Sequence, residues 1–375
     1  MTKVLLSSLL YVAGVVSAFG DFTKSITFTT SGYQGSAPLA NFPVLVKLST
    51  SISGFDYADF GGTTNLVFKD SGGTVIPHDV DTWNTLGTSL VWVKVPSLTS
   101  ATTFTMYYCG SDDTVNNPST TWTAANYVGV WHMDEENGTV ADATGHGLTA
   151  TPMGDASVSI RYAGGDAPVG HARITGTSSA KGYLTIADNS LLDVGDTFTM
   201  SGWVNFSAIQ SGKAERMFSR KNGYSDKNGW EIEMNAGSDN RFSARGSHKD
   251  NGTSGGGAAG CSGQFNPSLK DKWTHVALVY NGSQLTVCSN GYELATGAVS
   301  AVQDNDMNLS IGCNATGSEA GYFHGAFDEC RLLDAVASAD WIAAEYATVA
   351  SDAFLTHGDV EDVAVGKPGM MIIIY

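Results

Sequence analysis

The chain has 375 residues, enough for one to three domains with a large core, and only 15% of them are charged. Glycine (44 residues), serine and threonine are abundant, which suits short strands joined by turns and argues against helical bundles. The formal net charge is −17 and no basic cluster occurs, so no nucleic-acid partner is expected, because phosphate binding needs a basic face.

In chain order, Met1-Thr-Lys3 precedes an apolar run, Val4–Val16, and Val16-Ser17-Ala18 supplies a small-residue cleavage pattern. Residues 1–18 are therefore expected to be a secretory signal peptide. The run falls short of the roughly 18–20 apolar residues of a membrane helix. No later stretch is longer, so a secreted or cell-surface protein without a transmembrane anchor is predicted. Residues 24–115 read as a β-sandwich. Ile26–Phe28, Phe42–Leu48, Leu66–Phe68, Leu90–Val95 and Phe104–Tyr108 are rich in aromatic and β-branched residues, and Ser71-Gly-Gly73 and Thr82-Trp-Asn84 separate them as turns. The polar stretch 112–122 is predicted to be a linker.

A second unit is predicted over 125–350. Its expected strands are Tyr183–Ile186, Phe198–Phe206, Arg216–Ser219, Trp230–Met234, Arg241–Ser243, Trp273–Tyr280, Gln284–Cys288 and Leu309–Gly312. Asn281-Gly-Ser283 is a hairpin turn, and Gly-rich 248–263 is expected to be a loop. In the closing segment Phe327, Glu329 and Arg331 should face one side of a strand, and Asp328, Cys330 and Leu332 the other. Ser338 then caps a short helix carrying Ile342 and Tyr346. Residues 351–375 are taken as a tail. The five cysteines permit at most two bridges, of which Cys288–Cys313 joins what read as neighbouring strands; Cys288 and Cys330 also fit as small buried hydrophobes.

Gly325, Phe327, Asp328, Glu329, Arg331, Ser338, Trp341 and Ile342 fit the closing pattern of laminin-G-like jelly rolls of the concanavalin A-like class, and Val130–Asp134 with Val140–Gly147 resembles their opening. The first unit resembles the domain of unknown function that precedes such modules in secreted bacterial proteins, on Asn41–Val46, Phe68–Gly72, Trp92–Pro96 and Met106–Tyr108. The resemblance implies an all-β protein: a small β-sandwich, then a two-sheet jelly roll with a short C-terminal helix. It also implies a structural calcium, for which Asp142, in a Gly-containing turn, and Asp328, on the closing strand, are the expected ligands, since calcium takes several oxygens.

Glu231 and Glu233 lie two apart on a strand and face one side. Laminarinase-type glycoside hydrolases on this scaffold use paired strand carboxylates, but Glu231-Ile-Glu-Met-Asn-Ala236 lacks their third acid, so no catalytic residues are expected. The scattered histidines show no metal-ligand spacing, and His132 and His275 read as packed side chains. The stretch Arg220–Gly229 is the expected ligand rim, with Arg220, Tyr224, Trp230, Glu231 and Glu233 as binding residues. The function expected is a secreted, non-catalytic binding module for a glycan or a cell-surface partner. The alternatives are a glycoside hydrolase and an adhesive spacer.

Overall fold

The computed structural model describes residues 21–110, 117–123, 125–155, 160–177, 179–194, 197–208, 214–221, 229–235, 241–246, 260–299, 302, 305–316 and 321–363. The expected signal peptide lies outside them. The first strands are β1 (Lys24–Thr29), β2 (Leu39–Leu48), β3 (Leu66–Asp70), β4 (Val75–Ile76), β5 (His78–Thr82), β6 (Ser89–Leu98) and β7 (Thr103–Tyr108). Helix α1 (Ser119–Thr123) leads into β8 (Tyr127–Trp131), β9 (Ala150–Gly154), β10 (Ile160–Arg161), β11 (Arg173–Gly176), β12 (Gly182–Ile186), β13 (Phe198–Phe206), β14 (Ala214–Ser219), β15 (Trp230–Asn235) and β16 (Arg241–Gly246). The chain continues through β17 (Gly260–Gln264), β18 (Trp273–Tyr280), β19 (Gln284–Ser289), β20 (Tyr292–Ala298), β21 (Leu309–Ile311) and β22 (Gly325–Leu333) to α2 (Ala339–Ala350), β23 (Thr356–His357) and β24 (Glu361–Asp362).

These strands form two sandwiches, so the fold is all-β with a C-terminal helix. In the first, a sheet ordered β23-β1-β7-β3-β4, with β24 also on β1, faces the sheet β2-β6-β5. In the second, β10-β11-β22-β13-β18-β19-β20, with β8 also on β22, faces β17-β16-β15-β14-β21-β12-β9. Strand alternation builds each core. Val44, Val46, Val91, Val93 and Val95 point into the first, while Phe198, Met200, Val204, Ile232, Met234, Val276 and Leu278 point into the second.

Both strands at the centre of the seam are buried on two faces. The residues of β2 and β6 that alternate away from their own core, Leu45 and Trp92, pack with Trp122, Tyr127, Val130, Trp203, Leu333 and Ile342. Helix α2, capped by Ser338 Oγ accepting from Trp341 N at 3.1 Å, lies in this layer. Its Thr348 hydroxyl accepts from Leu45 N at 3.0 Å. The outer face of the β22–β13–β18 sheet is thus covered by α1, α2 and the first sandwich.

Four sequence expectations are corrected here. The 112–122 linker ends in helix α1, and Trp122 is fully buried because its indole closes the seam. The 351–375 tail is in part a return of the chain to its start, since Thr356–Thr29 and Asp362–Lys24 pair across β23, β24 and β1. Gly260–Gln264, assigned to the Gly-rich loop, pairs with β16. No disulfide joins any two cysteines among the described residues: Cys288 lies on β19 of one sheet and Cys313 follows β21 of the facing one, whereas Cys288 and Cys330 are buried thiols.

The closing strand departs from simple alternation. Between Ser201↔Arg331 and Trp203↔Asp328 two residues of β22 oppose Gly202 alone, and Glu329 takes φ +48°. This β-bulge turns Phe327, Cys330 and Leu332 into the second core, while Asp328, Glu329 and Arg331 face the seam. Gly202 is required there, since an added Cβ would stand 2.9 Å from Phe218 and 3.2 Å from Cys330 Sγ.

Trp122→Ala empties the middle of the seam and is expected to destabilise the chain by about 3–5 kcal/mol. Denaturant unfolding followed by tryptophan fluorescence measures this; a loss below about 1 kcal/mol means the seam contributes little.

Candidate functional site

The residues expected to bind ligand do not form an open rim. Tyr224 lies outside the described residues. Trp230 is buried in the second core, its ring 4.8 Å from that of Phe198. Arg220 is 2% exposed and fastens several loops: it donates to the carbonyls of Leu192, Asn305 and Met307 at 2.6–3.0 Å and to Asp188 at 2.7 Å. Glu231 and Glu233 face one side, as strand geometry requires, but both are fully buried rather than exposed. Arg216 Nε stands 3.1 Å from Glu231 Oε2 and 3.7 Å from Glu233 Oε2. Glu231 Oε1 accepts no hydrogen bond among the described residues. Burial raises the Glu231 pKa despite Arg216, and the Glu233 charge adds to the rise.

The two expected calcium ligands serve separate networks. Asp142 closes its own turn: Oδ1 accepts from Val130 N and Thr144 N, and Oδ2 from Leu148 N, at 3.0–3.2 Å. Thr144 Oγ1 also donates to it at 2.7 Å. Asp328 is carried by the bulge into the seam, where Oδ2 accepts from Val169 N at 2.9 Å and the buried Oδ1 accepts no hydrogen bond among the described residues.

At that seam the structure assembles a cluster that sequence reasoning missed. His132, just past β8, sets Nδ1 2.7 Å from Glu329 Oε1 and 3.3 Å from Asp81 Oδ2, and Nε2 3.3 Å from Asp79 Oδ2. Asp79 also accepts from Trp122 Nε1 at 2.8 Å. Glu329 Oε2 takes Arg331 Nη2 at 2.5 Å, and the Arg331 guanidinium lies 4.1 Å from the Trp92 ring and 4.8 Å from Trp122. Asp134 approaches from the other side, its Oδ1 accepting from His171 N at 3.0 Å. His132 is thus packed and hydrogen-bonded, and the acids that surround it are what the sequence did not indicate. The signal available was Asp79-Val-Asp81, two acids on one face of a short strand, hidden because 78–82 was not recognised as a strand.

The electrostatics follow from burying several acids around few cations. Burial alone works against charge on His132, yet Glu329, Asp79 and Asp81 outweigh it and hold the imidazole well above its usual range. Burial, reinforced by neighbouring acids, pushes Asp81 and Asp328 well up. Glu329 goes the other way, to about 2, because His132 and Arg331 overcome its burial.

A second feature is open to solvent. Gly32–Gly35, the turn Asn290–Tyr292 and α2 enclose a groove of about 330 Å³ between the two sandwiches. Tyr292 is 75% exposed at its edge and Tyr346 lines it, stacked at 28° on Trp203. Asp340 Oδ2, also on the wall, accepts from Ser36 N at 2.8 Å and Ala37 N at 3.2 Å.

With this geometry in hand, residues 177–343 match the family described as the concanavalin A-like lectin/glucanases superfamily. This part of the chain is similar to that superfamily, and its two facing antiparallel sheets are consistent with a jelly-roll sandwich. No curated protein matches the chain. Among solved structures it is similar to domain 4 of AbnA, an extracellular arabinanase from Geobacillus stearothermophilus in complex with arabinotriose, at 16% identity over 58% of this chain and 97% of that one, with TM-score 0.39. It is also similar to the binding domain of Paraclostridial Mosquitocidal Protein 1, at 13% identity over 59% of this chain, with TM-score 0.44. The binding domain of Botulinum Neurotoxin DC in complex with SialylT matches at 11% identity over 60% of this chain, with TM-score 0.43. The match spans about half of each toxin binding domain: 52% in both cases. Among the described residues of the jelly roll and its partner sandwich, no helix is long and apolar enough to cross a membrane.

His275, on the seam face of the jelly roll, gives a pH prediction. Burial, helped by Arg331, lowers its pKa to about 3, so it stays neutral when folded but protonates near 6.5 when unfolded. Its contribution is complete above about pH 6.5 and is lost as pH falls towards 3. His275→Gln is expected to make the acid limb of unfolding free energy against pH shallower by up to about 1.4 kcal/mol per unit between pH 6 and 4. Denaturant titrations at several pH values check this; parallel limbs would mean a protonated folded His275.

Proposed function

We propose that the chain is a secreted, non-catalytic binding module that takes a glycan, free or displayed on a cell-surface partner, in the groove between its two sandwiches. The exposed Tyr292 ring beside Tyr346 carries this reading. A pyranose offers an apolar face to an aromatic ring and hydroxyls to amides, and Gln34 and Asn290 stand on the same walls. The groove belongs to the assembled pair, since its walls come from both sandwiches. Tyr292→Ala is expected to weaken glycan binding at least tenfold on an array or by calorimetry while leaving the melting temperature unchanged, because an exposed side chain contributes little to folding. Equal binding by the variant would remove the groove as the site.

A second reading, glycoside hydrolysis, has one observation in its favour: Glu231 leaves Oε1 without a hydrogen bond among the described residues, and burial raises its pKa in the direction a general acid needs. Arg216 opposes it by holding Glu231 and Glu233 through a single nitrogen. The purified protein is expected to release no reducing sugar from β-glucans; release that disappears in Glu231→Gln would establish the hydrolase instead.

A further inference from the structure

The geometry points to a divalent-cation site at the seam, in which Asp81 Oδ2, His132 Nδ1 and Glu329 Oε1 hold a zinc-class ion that joins the first sandwich to the jelly roll. All three atoms lie within 4.8 Å of one another and come from three separate segments: β5, the residue after β8, and the bulged β22. This site is independent of the groove and contains no Asp142.

Three observations carry the inference. His132 Nδ1 faces two carboxylate oxygens at once, at 2.7 and 3.3 Å. A proton on Nδ1 can satisfy one of them, whereas a metal ion satisfies both. Second, Asp81 Oδ2 is buried, accepts no hydrogen bond among the described residues, and lies 3.3 Å from this nitrogen, while Oδ1 is engaged by Thr82 Oγ1 at 2.9 Å. Buried carboxylate oxygens are rarely left without a partner, and a cation bound beside Asp81 Oδ2 would supply one. Third, the surroundings orient the ligands. Asp79 lies 3.3 Å from the far imidazole nitrogen, where it would accept the Nε2 proton once an ion replaces the proton on Nδ1, as in carboxylate–histidine–metal arrangements. Arg331 holds Glu329 Oε2 and so directs Oε1 inward.

Ligand chemistry selects the ion. One imidazole nitrogen with two carboxylate oxygens suits zinc, or manganese, better than calcium, which takes six to eight oxygens. The 3.3 Å between Nδ1 and Asp81 Oδ2 is close to the edge of a tetrahedron around an ion with bonds of about 2.0–2.1 Å. The 2.7 Å hydrogen-bonded edge to Glu329 opens by several tenths of an ångström as the ion replaces the proton.

The test uses the tag-free full chain. After dialysis, elemental analysis should find one zinc per chain, and adding zinc to chelator-treated protein should raise the melting temperature by about 5 °C at saturation. Calcium at the same concentration should not. Asp81→Asn neutralises the unpartnered oxygen without changing shape, so the variant should fold as well as the chelator-treated wild type yet bind zinc about 100-fold more weakly. His132→Gln should lose binding as well. Wild-type protein that retains no zinc and shows no shift, zinc affinity unchanged in Asp81→Asn, or a shift with calcium in place of zinc would each overturn the site as assigned.

Discussion

The structure depends on one buried guanidinium. Arg331 is enclosed by Trp92 of the first sandwich, Trp122 of the short helix and Tyr127 of the jelly roll, at 4.1, 4.8 and 6.0 Å from the ring centroids. It is paired in the plane of its fork with Glu329 and Glu345 at 2.5 and 3.5 Å. A desolvated cation over an aromatic face is worth about 2 kcal/mol. Burying the charge costs more than that unless its hydrogen-bonding edge is filled, which the two carboxylates do. Neither sandwich supplies all of these partners, so the charge is accommodated only when the two are together. The seam is polar at its centre and apolar around it, an arrangement that fixes orientation as well as contact.

The bulge at Glu329 makes this possible. A regular strand would put Asp328 and Glu329 on opposite faces, one of them in the core of the jelly roll. The extra residue opposite Gly202 keeps Phe327, Cys330 and Leu332 inside and delivers Asp328, Glu329 and Arg331 together to the seam. The left-handed backbone at Glu329 is unfavourable for a side chain of that size. It persists because the Glu329 carboxylate is fastened on both oxygens, by His132 and Arg331. Backbone strain and buried charge therefore stabilise one another.

Much of the fold was legible in the chain. Strands with strong alternation, such as Phe198–Phe206 and Trp273–Tyr280, emerged as β13 and β18, and the Ser338 cap of α2 was readable from its hydroxyl and spacing. What was not legible came from tertiary pairing. Two-residue strands such as β23 and β24 carry no periodicity of their own and exist because β1 offers an edge. Trp122 looked like part of a polar connection because its neighbours are threonines and asparagines; its burial depends on Trp92, thirty positions earlier. The site was less legible than the fold. Asp79 and Asp81 sit in a short strand whose last residue, Thr82, reads as the start of a turn, and His132 reads as a packed side chain until Asp79 and Asp81 arrive from the other sandwich to face it.

The same reasoning explains why the acids of β15 do not form an open surface. The face of β15 that carries Glu231 and Glu233 is neutralised from within by Arg216, and Arg220 is consumed by loop carbonyls, so these charges hold the sheet rather than present themselves. An aromatic residue left 75% exposed, in contrast, gains nothing from folding. Tyr292 opens β20 opposite Ser289, directly after the turn Asn290-Gly291, with its ring turned to solvent. It overlooks a groove whose opposite wall is supplied by the first sandwich. The first sandwich therefore does more than precede the jelly roll: by covering the outer face of the β22–β13–β18 sheet it brings Gly32–Gly35 opposite Tyr292 and Tyr346, and a surface that would otherwise be open becomes a groove.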